Sequence, residues 1–403
     1  MAAIQSVKSG NWSDPTVWST GTIPGTADDV TINSGHTIVY DYTYDGTNTW
    51  INKIAAIYGT LYFSRSVSTQ LVVASPTGIY VNGGTLDCGT ESDPIPDTIT
   101  HKIYMKSTAD GQGFLNDGAT NTTITFCGSS SYYGNVRDST LYADGDGTTT
   151  IKVTGDVTGW KIGQELVIHK NQMYSNWATD SVLVTISSVG SYNGSYTTLV
   201  VSTAISSDFK AGGCVANLSR NIEIGKFGAL RNINQASSQK PGITLNFTQK
   251  FNNVSIIGLY LYNCYANNVV AEFKNCVFRN SAYNFWISNP GSYSPTNLIF
   301  DNNIIFTPSH ALFYFLQTYQ KFEVNNLLVI ASAGGIISSN FTIKNSKFIG
   351  SNFCFGSPSF QFITCLNVED CLIKSCCNVF SIVDTKETYI KNCIIDKCYD
   401  LVT

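Results

Sequence analysis

The sequence predicts an all-β protein whose C-terminal part is a right-handed parallel β-helix, also called a β-solenoid. Three observations support this prediction. A short phrase repeats through about residues 254–403, the chain between the repeats is rich in β-branched and aromatic residues in short alternation, and Gly, Ser, Thr and Asn are abundant throughout. Such a composition is typical of an exposed β protein with many turns.

The repeated phrase is an apolar residue, any residue, Asn or Asp, any residue, and then apolar residues. Its six anchors are Asn275, Asn302, Asn326, Asn345, Asp370 and Asn392, with gaps of 27, 24, 19, 25 and 22 residues. Periods of 20 to 50 residues indicate solenoids, propellers or arrays. The alternation in 342–349 and 388–395 favours strands over an amphipathic helix, and no four-strand propeller blade recurs. Coils with three short strands and three bends are therefore predicted.

The anchor residue is expected to form a bend. Asn tolerates the left-handed backbone of a sharp turn and can hydrogen-bond locally, so stacked coils should align these side chains as a ladder. A second tight turn is predicted six positions after each anchor, where the residue is small or is proline. These residues are Ser281, Pro308, Ser332, Ser351, Cys376 and Cys398.

Composition excludes several classes of partner. The 403 residues include 24 Lys and Arg against 28 Asp and Glu, a net charge of -4, so no basic surface for nucleic acid is expected. The chain contains no run of 18 apolar residues, so no membrane span is expected. The first residues lack an apolar signal core, which predicts synthesis and assembly in a cytoplasm. The length suits an elongated solenoid better than one compact domain.

Four of the twelve cysteines follow the repeat, because Cys371 and Cys376 recur as Cys393 and Cys398. Strands about 4.8 Å apart would stack them as two ladders. The favoured interpretation is small, buried and reduced side chains. Disulfides between coils remain geometrically possible. A metal site is disfavoured, since no His accompanies these cysteines and adjacent cysteines are not a typical zinc spacing.

Glycine-studded short strands occupy the N-terminal part of the chain. Trp12 and Trp18 precede a Pro24-Gly25 turn, and glycines such as Gly59 and Gly78 mark strand ends between alternating apolar residues. About residues 9–105 resemble the G8 domain, a β module of some cell-surface hyaluronan-processing proteins, fibrocystin-like proteins and many phage structural proteins. The resemblance implies a first set of solenoid coils and no catalytic residue.

Residues 148–216 contain strands at closer and less regular spacing, which predicts a small inserted β-barrel or sandwich. The expected organisation is a G8-like module at 1–125, the inserted domain at 126–218 and the parallel β-helix at 219–403. The last coil has no polar cap, so we expect the chain to continue or another chain to cover it. Trp160–Ile168 resembles a segment that follows G8 domains in the hyaluronan-processing proteins, but Gln164 stands where that segment has Asp.

Carboxylates in the repeat are candidates for glycan chemistry, because two of them can flank a glycosidic bond. The candidates are Asp301, Glu323, Glu369, Asp370 and Asp396. Asp370 is an anchor, so a structural role is expected for it. Asp301, Glu323 and Glu369 are expected to share one column with Lys274, Lys344 and Lys391, and a column of mixed charge indicates a solvated outer face.

Other side chains give weaker signals. His36, His101, His169 and His310 show no catalytic or metal spacing and are expected to be packing or surface residues. The turn at 143–147 lacks the closing ligands of a calcium loop and is expected to be a plain turn. Tyr283, Tyr293, Tyr314 and Tyr319 could stack on sugar rings. We therefore assign no catalytic, cofactor-binding or metal-binding residue, and no cofactor.

The favoured function is that of a bacteriophage virion structural protein: a tail fibre, tailspike or related appendage that acts as a rigid scaffold and recognises a host-surface glycan. It would be located in the virion after synthesis in a host cytoplasm, with an extracellular location as the alternative. Its expected partners are other virion proteins, further copies of the chain in a homotrimer and a host surface polysaccharide. One alternative is a carbohydrate-active enzyme, a polysaccharide hydrolase or lyase, and another is a bacterial surface adhesin. Recognition is expected in irregular loops between coils, such as 288–295.

Overall fold

The protein is all-β, and its only helical elements among the described residues are the 3-10 turns Pro15–Val17 and Ser130–Tyr133. The computed structural model describes residues 3–106, 114–118, 121–171, 180–227, 242–244, 249–262, 270–279, 285–288, 297–306, 313–316, 322–331, 336–337, 340–350, 355–356, 365–376, 380–381 and 387–398. The chain forms two compact units: unit 1 comprises 1–129, 221–300 and 313–320, and unit 2 comprises 130–220, 301–312 and 321–403.

Three parallel sheets build unit 1, and neighbouring strands in each come from successive coils. The first sheet contains Ala3–Gln5, Asp29–Ile32, Lys53–Ile57, Ile79–Val81, Leu115–Asp117, Gly242–Thr244, Tyr260–Tyr262, Phe285–Ser288 and Phe313–Leu316. The second contains Thr69–Val73, His101–Met105, Ile222–Lys226, Val254–Ile257 and Val277–Arg279. The third contains Gly10–Asn11, Thr37–Tyr40, Thr60–Phe63, Thr85–Cys88, Thr123–Cys127, Gln249–Asn252, Val270–Lys274 and Asn297–Asp301.

Unit 2 has the same three-sheet plan together with an antiparallel barrel. Its first sheet contains Ile336–Ile337, Phe355–Gly356 and Phe380–Ser381. Its second contains Ile304–Phe306, Leu328–Ile330, Lys347–Ile349, Leu372–Lys374 and Ile394–Asp396. Its third contains Phe322–Asn325, Asn340–Lys344, Cys365–Glu369 and Glu387–Lys391. Successive strands along the chain thus visit three sheets in turn, which confirms the predicted solenoid coil.

Columns of apolar side chains form the solenoid interior. Val324, Ile343 and Val368 are fully buried and lie in register on adjacent strands of the third sheet of unit 2. Each occupies the position two residues before its anchor. Because strand side chains alternate between faces, the residues on either side of them point outward. Burial of these columns supplies the main stabilisation of a parallel solenoid.

The anchor positions form the predicted bends. All six have left-handed backbones, with φ between 51° and 54°. The backbone N–H of Asn302, Asn326, Asn345 and Asp370 donates to the next coil, as in Asn345 to the carbonyl of Glu369 at 3.1 Å. Some anchor side chains also bond the preceding coil and so form part of a ladder. The Asn345 amide N–H donates to Oδ1 of Asn325, the residue just before the anchor Asn326, at 2.9 Å. A further bend of this kind is Asn253, with φ 56°.

The second bend lies one residue earlier than predicted. Positive φ occurs five positions after the anchors, at Ala331, Gly350, Ser375 and Lys397. Cys376 and Cys398 directly follow this bend instead of forming it. The residue six positions after the anchor is therefore small because of the packing that follows the turn. The turn residue itself, five positions after the anchor, can be as large as Lys397. Ser281, Pro308, Ser332 and Ser351 lie outside the described residues.

The inserted domain is a six-stranded antiparallel barrel in unit 2. Its strands, in sheet order, are Asp138–Thr140, Cys214–Asn217, Glu165–His169, Ser181–Tyr192, Tyr196–Ile205 and Thr148–Thr154. An antiparallel bridge between Leu141 and Val153 joins the last strand to the first and closes the barrel. Trp160, Leu166 and Phe209 belong to its buried core. The predicted barrel or sandwich is thus a barrel.

Candidate functional site

A cleft of about 340 Å³ opens over the third sheet of unit 1. Its floor includes Thr125, Lys250 and Glu272, which lie side by side in register on three neighbouring strands. Their chain neighbours on the opposite face are Phe126, Phe251 and Phe273, whose rings stack at 5.2 and 4.9 Å between centroids. Alternation along the strand thus places a polar row outside and an aromatic column inside.

One wall of the cleft is the loop 89–92, and Arg65 holds this loop in place. Arg65 Nη2 lies 2.8 Å from Asp87 Oδ1, and its Nε lies 3.1 Å from Asp93 Oδ2. Asp87 Oδ1 also accepts from the Gly89 N–H at 2.8 Å. Gly89 has φ 99°, and a Cβ there would come within 2.1 Å of the Cys127 carbonyl oxygen. The loop is therefore pre-organised by charge pairing and by a position that requires glycine.

Charged groups of both signs meet at the cleft. Lys274 Nζ lies 2.5 Å from Glu272 Oε1 and 3.9 Å from Glu91 Oε1. Glu272 is only 7% exposed. Burial raises the pKa of the Cys127 thiol to about 11, and the charges of Glu91 and Glu272 add to the rise. Cys127 is thus protonated near neutral pH and is unsuited to nucleophilic chemistry.

The cleft offers hydrogen-bonding groups of several kinds. Glu91 and Glu272 supply carboxylate acceptors, Ser92 and Thr125 supply hydroxyls, and Asn252 supplies an amide. Carboxylates, amides and hydroxyls can each bond the hydroxyl groups of a sugar. The arrangement is suited to holding a polar ligand of several hydroxyl groups over a rigid sheet.

The sequence-predicted charged column is only partly correct. Glu369 lies in register between Lys344 and Lys391, with Lys344 Nζ 3.8 Å from Glu369 Oε2. Asn325, rather than Glu323, occupies the corresponding position on the preceding strand. Glu323 pairs with Thr342, two residues earlier, so its placement in this column was wrong. The reason is that the anchor is Asn326, and the position just before it is Asn325.

The candidate carboxylates whose side chains the structure describes do not converge on one site. Asp301 Oδ1 accepts from the Asn325 amide at 3.2 Å. Asp301 and Glu369 lie on strands that are three inter-strand steps apart in the sheet, about 14 Å at about 4.8 Å a step, which is too far to flank one glycosidic bond. Asp370 forms a bend with φ 53° and accepts from Asn392 at 3.0 Å, as predicted for an anchor.

Asp396 belongs to a different sheet, since it pairs in register with Lys374 in the second sheet of unit 2. Three of the four predicted tyrosines lie outside the described residues: Tyr283, Tyr293 and Tyr319. Tyr314 lies in the strand Phe313–Leu316, opposite Trp286. Residues 289–295 of the predicted display loop also lie outside the described part of the chain.

The histidines pack in separate places. His101 is buried, with Nδ1 2.8 Å from Thr69 Oγ1 and Nε2 2.8 Å from the Ser64 carbonyl oxygen. His169 is buried with Nδ1 2.7 Å from Ser181 Oγ. Burial lowers the pKa of each of these two rings to about 4. Both are thus neutral packing groups near pH 7.

His36 contacts Ser6 Oγ at 2.8 Å, and His310 lies outside the described residues. The turn at 143–147 contains Asp144 and Asp146. Asp144 accepts from Lys210 Nζ at 3.0 Å and from the Ala211 N–H at 2.9 Å. Its carboxylate is therefore engaged within the protein. Across the ranges that the structure describes, no three His, Cys, Asp or Glu side chains are grouped to hold a metal ion.

Sequence reasoning did not identify the cleft residues. Glu91 and Glu272 lie 181 positions apart, and the repeat was recognised only from Asn275 onward. One signal was available: Asn253 follows Phe251 and precedes Val254, which fits the repeated phrase. Extending the register back by one coil would have placed Lys250 beside Glu272. No sequence signal brings the loop of Glu91 to that strand.

Comparison with known proteins identifies the N-terminal module. The family model of the G8 domain matches residues 17–141, so the resemblance drawn from the tryptophans and glycines is confirmed, and the protein is a parallel β-solenoid that carries a G8 domain. No curated protein matches the chain. No helix in the described ranges is long and apolar enough to cross a membrane.

Among solved structures, the chain is similar to the Gp54 tailspike of Acinetobacter baumannii bacteriophage AP22 in complex with A. baumannii capsular saccharide. The identity is 8% and the TM-score 0.21, over 96% of this chain and 70% of that chain. A TM-score this low carries no argument about the role of this protein.

Proposed function

We propose that the protein is a structural component of a bacteriophage virion, a tail fibre, tailspike or related appendage, that binds a host-surface glycan in the cleft of unit 1. The observation that carries the glycan part is the pre-organised cleft, in which the polar row of Thr125, Lys250 and Glu272 lies beside the loop of Glu91. The parallel solenoid supplies the rigid scaffold.

The spacing of the cleft residues suits a repeating ligand. Neighbouring strands place side chains about 4.8 Å apart, a step comparable with the length of one hexose ring. Thr125, Lys250 and Glu272 occupy three consecutive positions, separated by two such steps. Consecutive sugars of a chain could therefore each meet one row position, and the fixed register lowers the ordering cost on binding.

The virion part rests on the module organisation. The G8 domain at 17–141 resembles the modules of many phage structural proteins, and here its strands as far as Thr123–Cys127 belong to parallel solenoid coils. We retain the division into 1–125, 126–218 and 219–403 as a proposal about domain organisation. A homotrimer in contact with other virion proteins would present one such cleft on each chain.

Two measurements test the proposal. The purified protein is screened against capsular and cell-wall polysaccharides of candidate hosts, and intact particles are analysed by mass spectrometry for its peptides. We expect binding to at least one glycan and at least a tenfold loss in Glu272→Gln combined with Ser92→Ala, because charge-assisted bonds are removed. Glu223→Gln, on the second sheet, serves as the control. No glycan binding together with absence from particles would refute the proposal.

A carbohydrate-active enzyme is the second candidate, and one observation favours it. Glu91 and Glu272 both approach Lys274 Nζ, at 3.9 and 2.5 Å, so their nearer oxygens cannot lie more than about 6.4 Å apart. Carboxylate pairs of glycosidases lie within about 5 to 10 Å of each other. New reducing ends formed by the wild type and abolished by Glu91→Gln would establish hydrolysis. Intact glycan in both samples would leave binding as the function.

A further inference from the structure

Lys250 lies in the middle of the polar row that forms the floor of the cleft. Its strand lies between those of Thr125 and Glu272, and its side chain is half-buried. The residues that the structure describes include no ion pair or side-chain hydrogen bond to its ammonium group. Its register neighbour Glu272 is engaged by Lys274 at 2.5 Å.

A ligand of opposite charge can complete this arrangement. A partly buried ammonium group loses some of its hydration, and a hydrogen-bonded partner of opposite charge offsets that loss. The nearby carboxylates Glu91 and Glu272 both lie beside Lys274. Departures from local charge pairing of this kind are concentrated at functional sites.

We infer that Lys250 is the anion-recognising group of the cleft, and that the bound glycan carries a carboxylate or a phosphate on the sugar that contacts it. The inference rests on the proposed glycan-binding function and specifies its ligand class. The ammonium donates to the acidic group, while Glu91 and Glu272 accept from hydroxyls of the same or the adjoining sugar. Because the acidic group is repelled by the two carboxylates, the charges also fix the orientation of the ligand.

Binding of matched probes tests the inference. The probes are tetragalacturonate, the same tetrasaccharide after reduction of its carboxyl groups, and a galactose tetrasaccharide phosphorylated at C6. The variants are Lys250→Gln, Lys250→Arg and, as the control, Lys102→Gln, which removes an exposed lysine of the second sheet. Calorimetry at low and at high salt gives the affinity of each pair.

We expect the wild type to bind one acidic probe at least tenfold more tightly than the reduced probe. Lys250→Gln should lose that advantage, Lys250→Arg should keep most of it, and Lys102→Gln should resemble the wild type. High salt should weaken only the variants that retain the cation. The carboxylate and phosphate arms decide which anion is bound. Equal affinity for charged and reduced probes, or no effect of Lys250→Gln, overturns the inference.

Stability gives a second, independent measurement. Lys250→Met should unfold at the same temperature as the wild type or higher, because it removes an unpartnered half-buried charge. A lower unfolding temperature would show that Lys250 is structural and would overturn the inference. Failure of this inference and failure of the proposed function give different results. If the cleft binds only neutral glycans, the proposed function stands and the anion subsite is ruled out. If the protein binds neither neutral nor acidic glycans, both are ruled out.

Discussion

Lys347 Nζ lies 2.8 Å from Asp138 Oδ2, although the two residues are 209 positions apart. Asp138 begins a barrel strand and Lys347 begins a solenoid strand, both in unit 2. Arg137 Nε lies 2.7 Å from Asp138 Oδ1, and Arg137 also donates to the carbonyl of Asn326. One buried carboxylate thus joins the inserted barrel to the coils that follow it.

We expect Asp138→Ala to destabilise unit 2 by about 2 kcal/mol, because two cations lose their shared partner in a mostly buried place. Burial acts to raise the pKa of Asp138, yet the charges of Arg137 and Lys347 outweigh it and hold that pKa below its usual range. Denaturant unfolding, monitored through the hydrogen exchange of unit 2, measures the lost free energy of unfolding. Lys210→Ala removes an exposed pair with Asp144 and should cost much less stability than Asp138→Ala. Equal effects of the two changes would contradict this role.

The left-handed anchors should respond to substitution in a graded way. Asn345 has φ 51° and donates to Asn325 Oδ1. Asn345→Gly keeps the backbone and should cost about 1 kcal/mol for the lost bond. Asn345→Val should cost about 2 to 3 kcal/mol, because a β-branched side chain opposes this backbone. Thermal unfolding gives the order, and a valine variant as stable as the glycine variant would argue against the bend as the reason for asparagine.

Two buried histidines should make the fold sensitive to acid. His101 and His169 have pKa values near 4 when folded, lowered by burial, against about 6.5 in an unfolded chain. The unfolded chain therefore binds protons that the folded chain rejects, and stability is full above pH 6.5 and falls as pH drops to 4. The loss is on the order of 3 kcal/mol per histidine. A shallower loss in His101→Gln would support this assignment, and an unchanged slope would contradict it.

Cys214, Cys371 and Cys398 should stay reduced and unreactive. Burial raises the pKa of Cys371 and of Cys214 to about 12, so little thiolate exists near neutral pH. Cys398 also has a raised pKa, for which the contact with Cys376 is the main cause. Alkylation at pH 8, read peptide by peptide in a mass spectrometer, should modify these residues only after unfolding. Rapid labelling, or a Cys376–Cys398 disulfide without added oxidant, would contradict the packing role.

Repetition made much of the fold predictable. The period of the anchors predicts the coils, and the tolerance of asparagine for a left-handed backbone predicts the bends. The alternation of apolar and polar residues predicts core positions such as Ile343. The inserted barrel was also predicted, from strand spacing between 148 and 216. Its closure through Leu141 and Val153 was not, because an isolated bridge leaves no periodic signal.

The candidate site was harder to predict, for a physical reason. Glu91 reaches the cleft only because Arg65 and Asp93 hold its loop against the sheet. Such contacts join parts of the chain that no local pattern connects. The predicted carboxylates instead came from the repeat, where Asp301 and Asp370 bond asparagine amides of neighbouring coils. Repetition therefore identifies the scaffold residues, while the site lies where a loop departs from the repeat.

The most direct test of the central claim is a structure of the protein bound to a glycan fragment selected in the polysaccharide screen. We predict density for consecutive sugars over Thr125, Lys250 and Glu272, bordered by the loop of Glu91. The same fragment should give no density in that cleft in the Glu272→Gln, Ser92→Ala variant. Density elsewhere on the protein, with the cleft empty in the wild type, would contradict the claim that this cleft is the recognition site.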